Sequence, residues 1–428
     1  MQTRMVAAVA VLMPAIAFAQ PGTVRLACGP ANRMFATLSQ GSIASDTANG
    51  FDLGTVPAFT GKACTSDQPF FISANLPEGT YRVTVTLGGP QASVTTVRAE
   101  SRRLMLEKIP IPAGGAETRM FDVNIRYPEI ADGVPGHVVK RKPREFDNLD
   151  WDHRLTLEFN GERPSLRSVT IEPVTEPVVY LAGDSTVVDQ DTEPWAAWGQ
   201  MLPRFFMPGV VIANHAESGE TIKSFVGEQR FAKIFSVIRP GDYLFLQFNH
   251  NDQKPGAVSL EDYNRLLREY VAKARAAGAT PVLVTAMNRR TFDDAGKITN
   301  SLGGYPDAVR AAAAETRTAL IDLNAMSKTL FEAMGPEVSR KAFMHYAANT
   351  FPNQTAAIDD DTHFNSYGAY ELARCVVHGI RAAKLPLVKF LAADVPDFDP
   401  AKPDPQATFS LPMTPIRIKT DVTKVPQT

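Results

Sequence analysis

Residues 178–186 read Val-Val-Tyr-Leu-Ala-Gly-Asp-Ser-Thr, an apolar run that stops on a glycine, a carboxylate and two hydroxyls. Apolar side chains at every position, rather than at alternate ones, mark a strand buried on both faces, as in a parallel sheet covered by helices. Val210 to Ala213, Tyr243 to Phe248, Val282 to Thr285 and Ala319 to Leu323 repeat the pattern, and helical segments separate them. The clearest helix starts at Ser259 as N-cap with Asp262 in the capping-box position. It carries Tyr263, Leu266, Leu267, Tyr270 and Val271, and stops at Gly278. Five strands alternating with helices predict a three-layer α/β/α sandwich around a five-stranded parallel sheet. Ligands on such sheets bind beyond the carboxyl ends of the strands, so chemistry is sought in the residues that follow each run.

Upstream, from Val24 to Pro177, the texture is all-β. Phe70 to Ile72, Thr80 to Leu87, Ser93 to Arg98, Leu104 to Ile109, Met120 to Ile125, Leu155 to Phe159 and Ser168 to Ile171 are short runs rich in Val, Thr, Ile, Phe and Tyr. Tyr81, Val83, Val85 and Leu87 alternate with Arg82, Thr84 and Thr86, which gives one apolar and one polar face. Pro77-Glu78-Gly79 and Gly88-Gly89-Pro90 punctuate the runs as turns. The spacing predicts a β-sandwich. The polar stretch from Lys140 to Asp152 reads as a solvated loop, with an interdomain surface as the alternative.

A chain of 428 residues exceeds what one core usually organises, in keeping with two folded units. The expected division is a signal peptide over 1–19, a β-sandwich over 20–177, an α/β unit over 178–385 and a proline-rich extension over 386–428. Arg4, the apolar run Met5 to Phe18 and the small-x-small triplet Ala17-Phe18-Ala19 carry the signal-peptide reading, so a secreted or periplasmic protein is expected. That run is shorter than the roughly 20 residues that span a bilayer, and no other stretch is long enough. A composition of 44% hydrophobic and 21% charged residues excludes wholesale disorder. With 44 Lys and Arg against 46 Asp and Glu, the net charge of -2 gives no global attraction to nucleic acid, which is not expected as a partner. A monomer is expected. In an oxidising compartment Cys28 is expected to pair with Cys64, while Cys375 sits in a helical apolar pattern as a buried thiol. The extension excludes regular helix through its prolines, from Pro386 to Pro426, and Phe390, Phe398 and Phe409 suggest that it packs in extended form.

Gly183-Asp184-Ser185-Thr186 follows the first parallel strand. A serine there can be a nucleophile with the next helix's amides nearby, or merely a turn residue. No G-x-S-x-G occurs, which argues against the nucleophile elbow of α/β-hydrolases. After the second strand come Asn214-His215-Ala216-Glu217-Ser218-Gly219, where Gly219 offers an unobstructed amide or an ordinary turn. After the third come Asn249-His250-Asn251-Asp252, in which Asn251 can donate a side-chain amide to an oxyanion and His250 is either a site residue or a hydrogen-bonded structural one. Near the end stand Asp359-Asp360-Asp361-Thr362-His363. His363 can act as general base and Asp360 can hold its tautomer, whereas a calcium loop or capping cluster is the plainer alternative. Trp195 and Trp198 can stack on a sugar or pack in the core. Arg289 and Arg290 can meet carboxylates or lie solvated. The seven histidines include no H-E-x-x-H and no cluster with cysteine, so neither a catalytic zinc nor any cofactor is expected.

These blocks, in the order Ser, Gly, Asn, then Asp and His, resemble the SGNH, or GDSL-type, hydrolases. The residues Leu181 to Thr186, Trp198-Gly199-Gln200, His250-Asn251-Asp252 and Asp360 to Phe364 are similar to those of the rhamnogalacturonan acetylesterase family. The resemblance covers Val178 to Ala383 and implies a flavodoxin-like fold with Ser185 as nucleophile. It implies Gly219, Asn251 and the Ser185 amide as oxyanion donors, and Asp360 with His363 as the rest of the triad. His250, Trp195 and Arg289 become candidate substrate contacts. Asn249 stands where the family usually has glycine, and its side chain is expected to reshape the pocket wall. Leu76 to Tyr81 looks like part of a galactose-binding-type sandwich, for which sugar binding, a structural calcium and plain buttressing all stay open. The implied activity is a secreted serine esterase that deacetylates plant cell-wall polysaccharide, with rhamnogalacturonan first. Xylan and other acetylated glycans are alternative substrates, and a noncatalytic carbohydrate-binding protein is the rival reading.

Overall fold

The computed structural model describes residues 22–29 and 34–415. The expected signal peptide and Pro426 lie outside the described residues.

Tyr81, Val83, Val85 and Leu87 are all buried along the Gly79–Leu87 strand, while Arg82 on the opposite face pairs with Asp122. Period-two patterning of this kind builds two five-stranded sheets. One runs Glu117–Ile125, Gly79–Leu87, Ser168–Pro173, Val24–Ala27, Ala36–Thr37; the other runs Gly50–Asp52, Phe70–Asn75, Arg154–Glu162, Ser93–Ala99, Arg103–Ile111. Val83, Val85, Phe121 and Ile171 of the first share one buried cluster with Phe70, Ile72, Leu157 and Phe159 of the second. A small third sheet of Ser165–Leu166, Ala63–Thr65 and Ala58–Thr60 carries Cys64, which forms a disulfide with Cys28.

From Val178 the chain builds a five-stranded parallel sheet in the order Val211–Asn214, Val178–Gly183, Tyr243–Gln247, Thr280–Val284, Ala319–Ile321. Val179 and Leu181 face a helical layer that includes Ser366–Ala382, and Val178, Tyr180 and Ala182 face one that includes Leu260–Ala276. This is why every position of that strand had to be apolar. Ser259 caps its helix as expected, its hydroxyl accepting from the Asp262 amide at 3.1 Å. No helix among the described residues is long and apolar enough to cross a membrane. Cys375 is buried and unpaired, and burial pushes its thiol well above the usual range.

The Lys140–Asp152 stretch corrects the expectation of a solvated loop. Its Pro143–Phe146 turn lies against the α/β half, and the carboxylate of Glu145, 1% exposed, meets Arg230 at 2.6 Å and Trp151 at 3.0 Å. The burial of Glu145 is compensated because both of its carboxylate oxygens find charged or hydrogen-bonding partners. The described part of the extension buries Phe398 and packs Phe390 and Phe409 against the same core. It also crosses back to the sandwich, where Arg98 donates to the Pro412 carbonyl at 2.5 Å and the Thr414 hydroxyl donates to Glu158 at 2.8 Å.

Candidate active site

The Val178–Gly183 strand ends in a turn held by Asp184, which is fully buried. Its carboxylate accepts from the Thr186 amide at 2.9 Å and the Thr186 hydroxyl at 2.7 Å, and its carbonyl accepts from the amides of Val187 and Val188. Gln247 donates to the same hydroxyl at 2.8 Å and in turn accepts from the indole of Trp198 at 2.8 Å. Trp198 therefore braces the turn from inside the core. A side chain at Gly183 would meet Val187 at 2.6 Å and the Gln247 carbonyl at 2.8 Å, so the tight packing beneath the turn requires glycine. The result is a serine fixed at the sheet's carboxyl edge.

His363 arrives from the far end of the chain. The acidic run, for which a calcium loop or capping cluster is the alternative reading, lies in a strand: Ile358–Phe364 pairs antiparallel with Phe343–Tyr346. Phe343 pairs with Phe364, whereas Met344 pairs with Asp360, so Asp361, Thr362 and His363 bulge out of the ribbon. The bulge sets His363 Nε2 at 2.8 Å from Ser185 Oγ and His363 Nδ1 at 2.7 Å from Asp360 Oδ2. The other oxygen of Asp360 accepts from the amides of Thr362 at 2.7 Å and His363 at 3.0 Å. Burial pushes the Asp360 carboxyl up, but the bond and charge of His363 and these two amides outweigh it and hold the group at about 2. Asp359 and Asp361 face elsewhere. They hold His345 between them, at 2.5 Å and 2.8 Å, and pair with Arg340 and Arg290 respectively.

Ser185 and Gly219 have amide N–H groups with no hydrogen-bond partner among the described residues. Gly219 has φ +81, a conformation glycine takes without strain. Asn251 donates one amide hydrogen to the Glu220 carbonyl at 3.0 Å, which leaves the other for a ligand. Asn214 secures the intervening turn, its amide donating to the Val187 carbonyl and Asp189 and its oxygen accepting from Ala216.

The remaining candidate residues are His250, Asn249, Arg289 and Trp195. His250, a candidate substrate contact, is 2% exposed, with Nε2 at 3.1 Å from the Met287 carbonyl and Nδ1 at 3.5 Å from Asp184; its ring supports the Asp184–Ser185 turn from behind. Asn249, expected on the pocket wall, is fully buried at φ 150, and neither side-chain polar atom has a partner. The guanidinium of Arg289 is turned inward, donating to Thr362, the Ser301 carbonyl and the His250 carbonyl, so it ties the His250 and His363 segments together. Trp195 is half-buried, and its carbonyl accepts from Arg102 at 2.8 Å. Lys142 and Arg144, in the stretch that reads as a solvated loop, lie on the Glu217–Glu220 turn instead. Their clustering with Arg141 and Glu145 was visible in sequence, but its partner surface was not. No group of metal-ligating side chains occurs among the described residues.

Residues 181–370 match the GDSL-like lipase/acylhydrolase family. Over 218 residues the chain is 44% identical to rhamnogalacturonan acetylesterase RhgT of Bacillus subtilis (strain 168), a match that covers 94% of that protein and 50% of this chain. The chain belongs to the GDSL-like lipase/acylhydrolase family. The probable rhamnogalacturonan acetylesterase YesY of the same organism is 36% identical over 217 residues, covering 95% of its length and 49% of this chain. The crystal structure of the protein YxiM from Bacillus subtilis superposes with a TM-score of 0.47 at 24% identity, covering 85% of this chain and 99% of that one. The two family relatives named first align with about half of this chain.

Proposed function

We propose that this family member is an exported carbohydrate acetylesterase that removes acetyl groups from a pectic polysaccharide, rhamnogalacturonan, with Ser185, His363 and Asp360 as its triad. The reading is carried by the continuous hydrogen-bonded line from Ser185 through His363 to Asp360. The unengaged amides of Ser185 and Gly219 and the named relatives lend it further support. Residues 178–385 form the catalytic unit, 20–177 an accessory sandwich, and 386–428 a proline-rich extension whose described part, 386–415, contacts both.

In acylation, Ser185 Oγ attacks the acetyl carbonyl carbon while His363 Nε2 takes the hydroxyl proton. The carbonyl oxygen becomes an oxyanion held by the Ser185 and Gly219 amides and the Asn251 side chain. His363 then returns the proton to the sugar oxygen as the C–O bond breaks. Water, losing a proton to the same imidazole, attacks the acetyl-serine, and His363 passes that proton to Ser185 Oγ as its bond to the acyl carbon breaks and acetate leaves. Asp360, ionised throughout, keeps Nδ1 protonated and Nε2 free for the serine. Trp195 is assigned to the sugar side of the pocket as a stacking face.

Acetate release from acetylated rhamnogalacturonan and acetylated xylan tests the proposal. The wild-type chain is expected to deacetylate the first faster, and Ser185→Ala to release none. Equal rates on both polymers would remove the substrate assignment, and an active Ser185→Ala would remove the mechanism.

A further inference from the structure

The Ser218 carbonyl and the Gly219 N–H belong to one peptide group, and its two ends face different partners. The carbonyl accepts from Lys142 Nζ at 2.6 Å and from a terminal nitrogen of Arg144. The N–H is unengaged. Both cations come from the sandwich half. Lys142 is anchored by the buried Glu220, and Arg144 by Glu217, which its Nε meets at 2.8 Å. The Gly219 position is open on the Lys142 side, with Nζ 3.7 Å from where a side chain would begin.

We propose that Lys142 and Arg144 are positioning residues for the oxyanion hole: they fix the plane of the Ser218–Gly219 peptide and polarise it, so that its N–H is a stronger donor. The inference rests on Gly219 serving as an oxyanion donor in the esterase reading above. Hydrogen bonds in a chain strengthen one another, and a charged donor at a carbonyl draws electron density from the N–H at the other end. In a water-poor site such preorganised donors act where negative charge develops, so the benefit falls on the transition state rather than on bound substrate. The catalytic unit would then depend on the sandwich half for electrostatics as well as for support.

The signature is a fall in kcat on an aryl acetate with KM nearly unchanged. Lys142→Gln keeps a donor but removes the charge, and Lys142→Met combined with Glu220→Gln removes the cation together with its buried anion. Each is expected to lower kcat about ten- to a hundredfold, less than or comparable with losing one whole oxyanion donor. Binding of phenylboronic acid, whose tetrahedral adduct on Ser185 needs the same hole, should weaken in parallel, and Lys142→Arg should restore both. Arg204→Gln breaks the ion pairs to Glu107 and Asp394 and touches neither turn. It is expected to lower Tm and leave kcat alone. A folded Lys142→Gln with wild-type kcat and boronate affinity overturns the inference, as does an Arg204→Gln that loses kcat equally, which would mean general loosening of the junction. An inactive Ser185→Ala beside a fully active Lys142→Gln removes this inference alone. An active Ser185→Ala removes the esterase reading and the inference with it.

Discussion

Arg103 of the sandwich donates from Nε to Asp189 of the loop that follows Ser185 at 2.6 Å, with the two side chains 1% and 0% exposed. The same guanidinium reaches Asp150 at 3.0 Å and the Asn124 carbonyl at 2.8 Å, and Asp189 also accepts from Asn214. Removing Arg103 leaves two buried carboxylates with Arg126, 3.8 Å from Asp150, as their remaining cation. Arg103→Met should therefore destabilise the fold by about 3–5 kcal/mol. Urea denaturation of the two proteins at neutral pH measures it, and a change below about 1 kcal/mol would show that the ion pair is not a structural anchor.

The three neighbouring aspartates should separate sharply in kinetics. Asp360→Asn deprives His363 of the acceptor that sets its tautomer, and a loss in kcat of about 10³- to 10⁴-fold is expected. Asp359→Asn and Asp361→Asn act on His345, Arg340 and Arg290, and should cost less than about tenfold. Equal losses from all three would mean that the acidic run acts only as a diffuse field.

Acid should expose the same group thermodynamically. The Asp360 carboxyl is held at about 2 in the folded chain, below its ordinary value of 3.8, so the folded state binds this proton less readily than the unfolded state. Its stabilising contribution is complete above about pH 4 and is lost as the pH falls from about 4 to 2. The stability gap between wild type and Asp360→Asn, followed by urea titration, should close across that window. A gap unchanged down to pH 2 would contradict the geometry.

Asn249 is a candidate for stabilisation. A positive φ suits glycine, and burying an amide with no partner is costly. Asn249→Gly should raise stability by about 1–3 kcal/mol, with kcat within about twofold of wild type, since the side chain is fully buried and bonds to no site residue. A lower Tm would indicate that the amide has a function in the fold.

The disulfide offers a separate handle. Replacing Cys28 and Cys64 by alanine should cost about 2–4 kcal/mol, chiefly by freeing the unfolded chain. Thermal melts with and without reductant should show the wild type falling to the level of the variant.

What sequence made legible was what repeats or stands next to its own signal. The five parallel strands were readable because each carries an unbroken run of at least three apolar residues, and Tyr81, Val83, Val85 and Leu87 because they alternate. Strands of three residues such as Gly50–Asp52 and Ala58–Thr60 are too short to show a period. The residues of the Ser185, His363 and Asp360 line could be nominated from the strand ends that carry them, but the ribbon that aims His363 could not. Its register depends on pairing with Phe343 and Met344, and no local pattern announces a bulge of three residues. Lys142 and Arg144 looked like ordinary surface charge because their acceptors lie more than seventy positions away.

The chain passes the junction between its halves twice, once through residues 174–177 and again where residues 412–414 return to Arg98, Glu158 and Glu193. The second crossing works as a buckle. A protease cut in the first connector would leave a particle that still sediments as one body, and the halves would melt in a single transition. A catalytic unit trimmed of either end would have to be re-engineered along the whole seam.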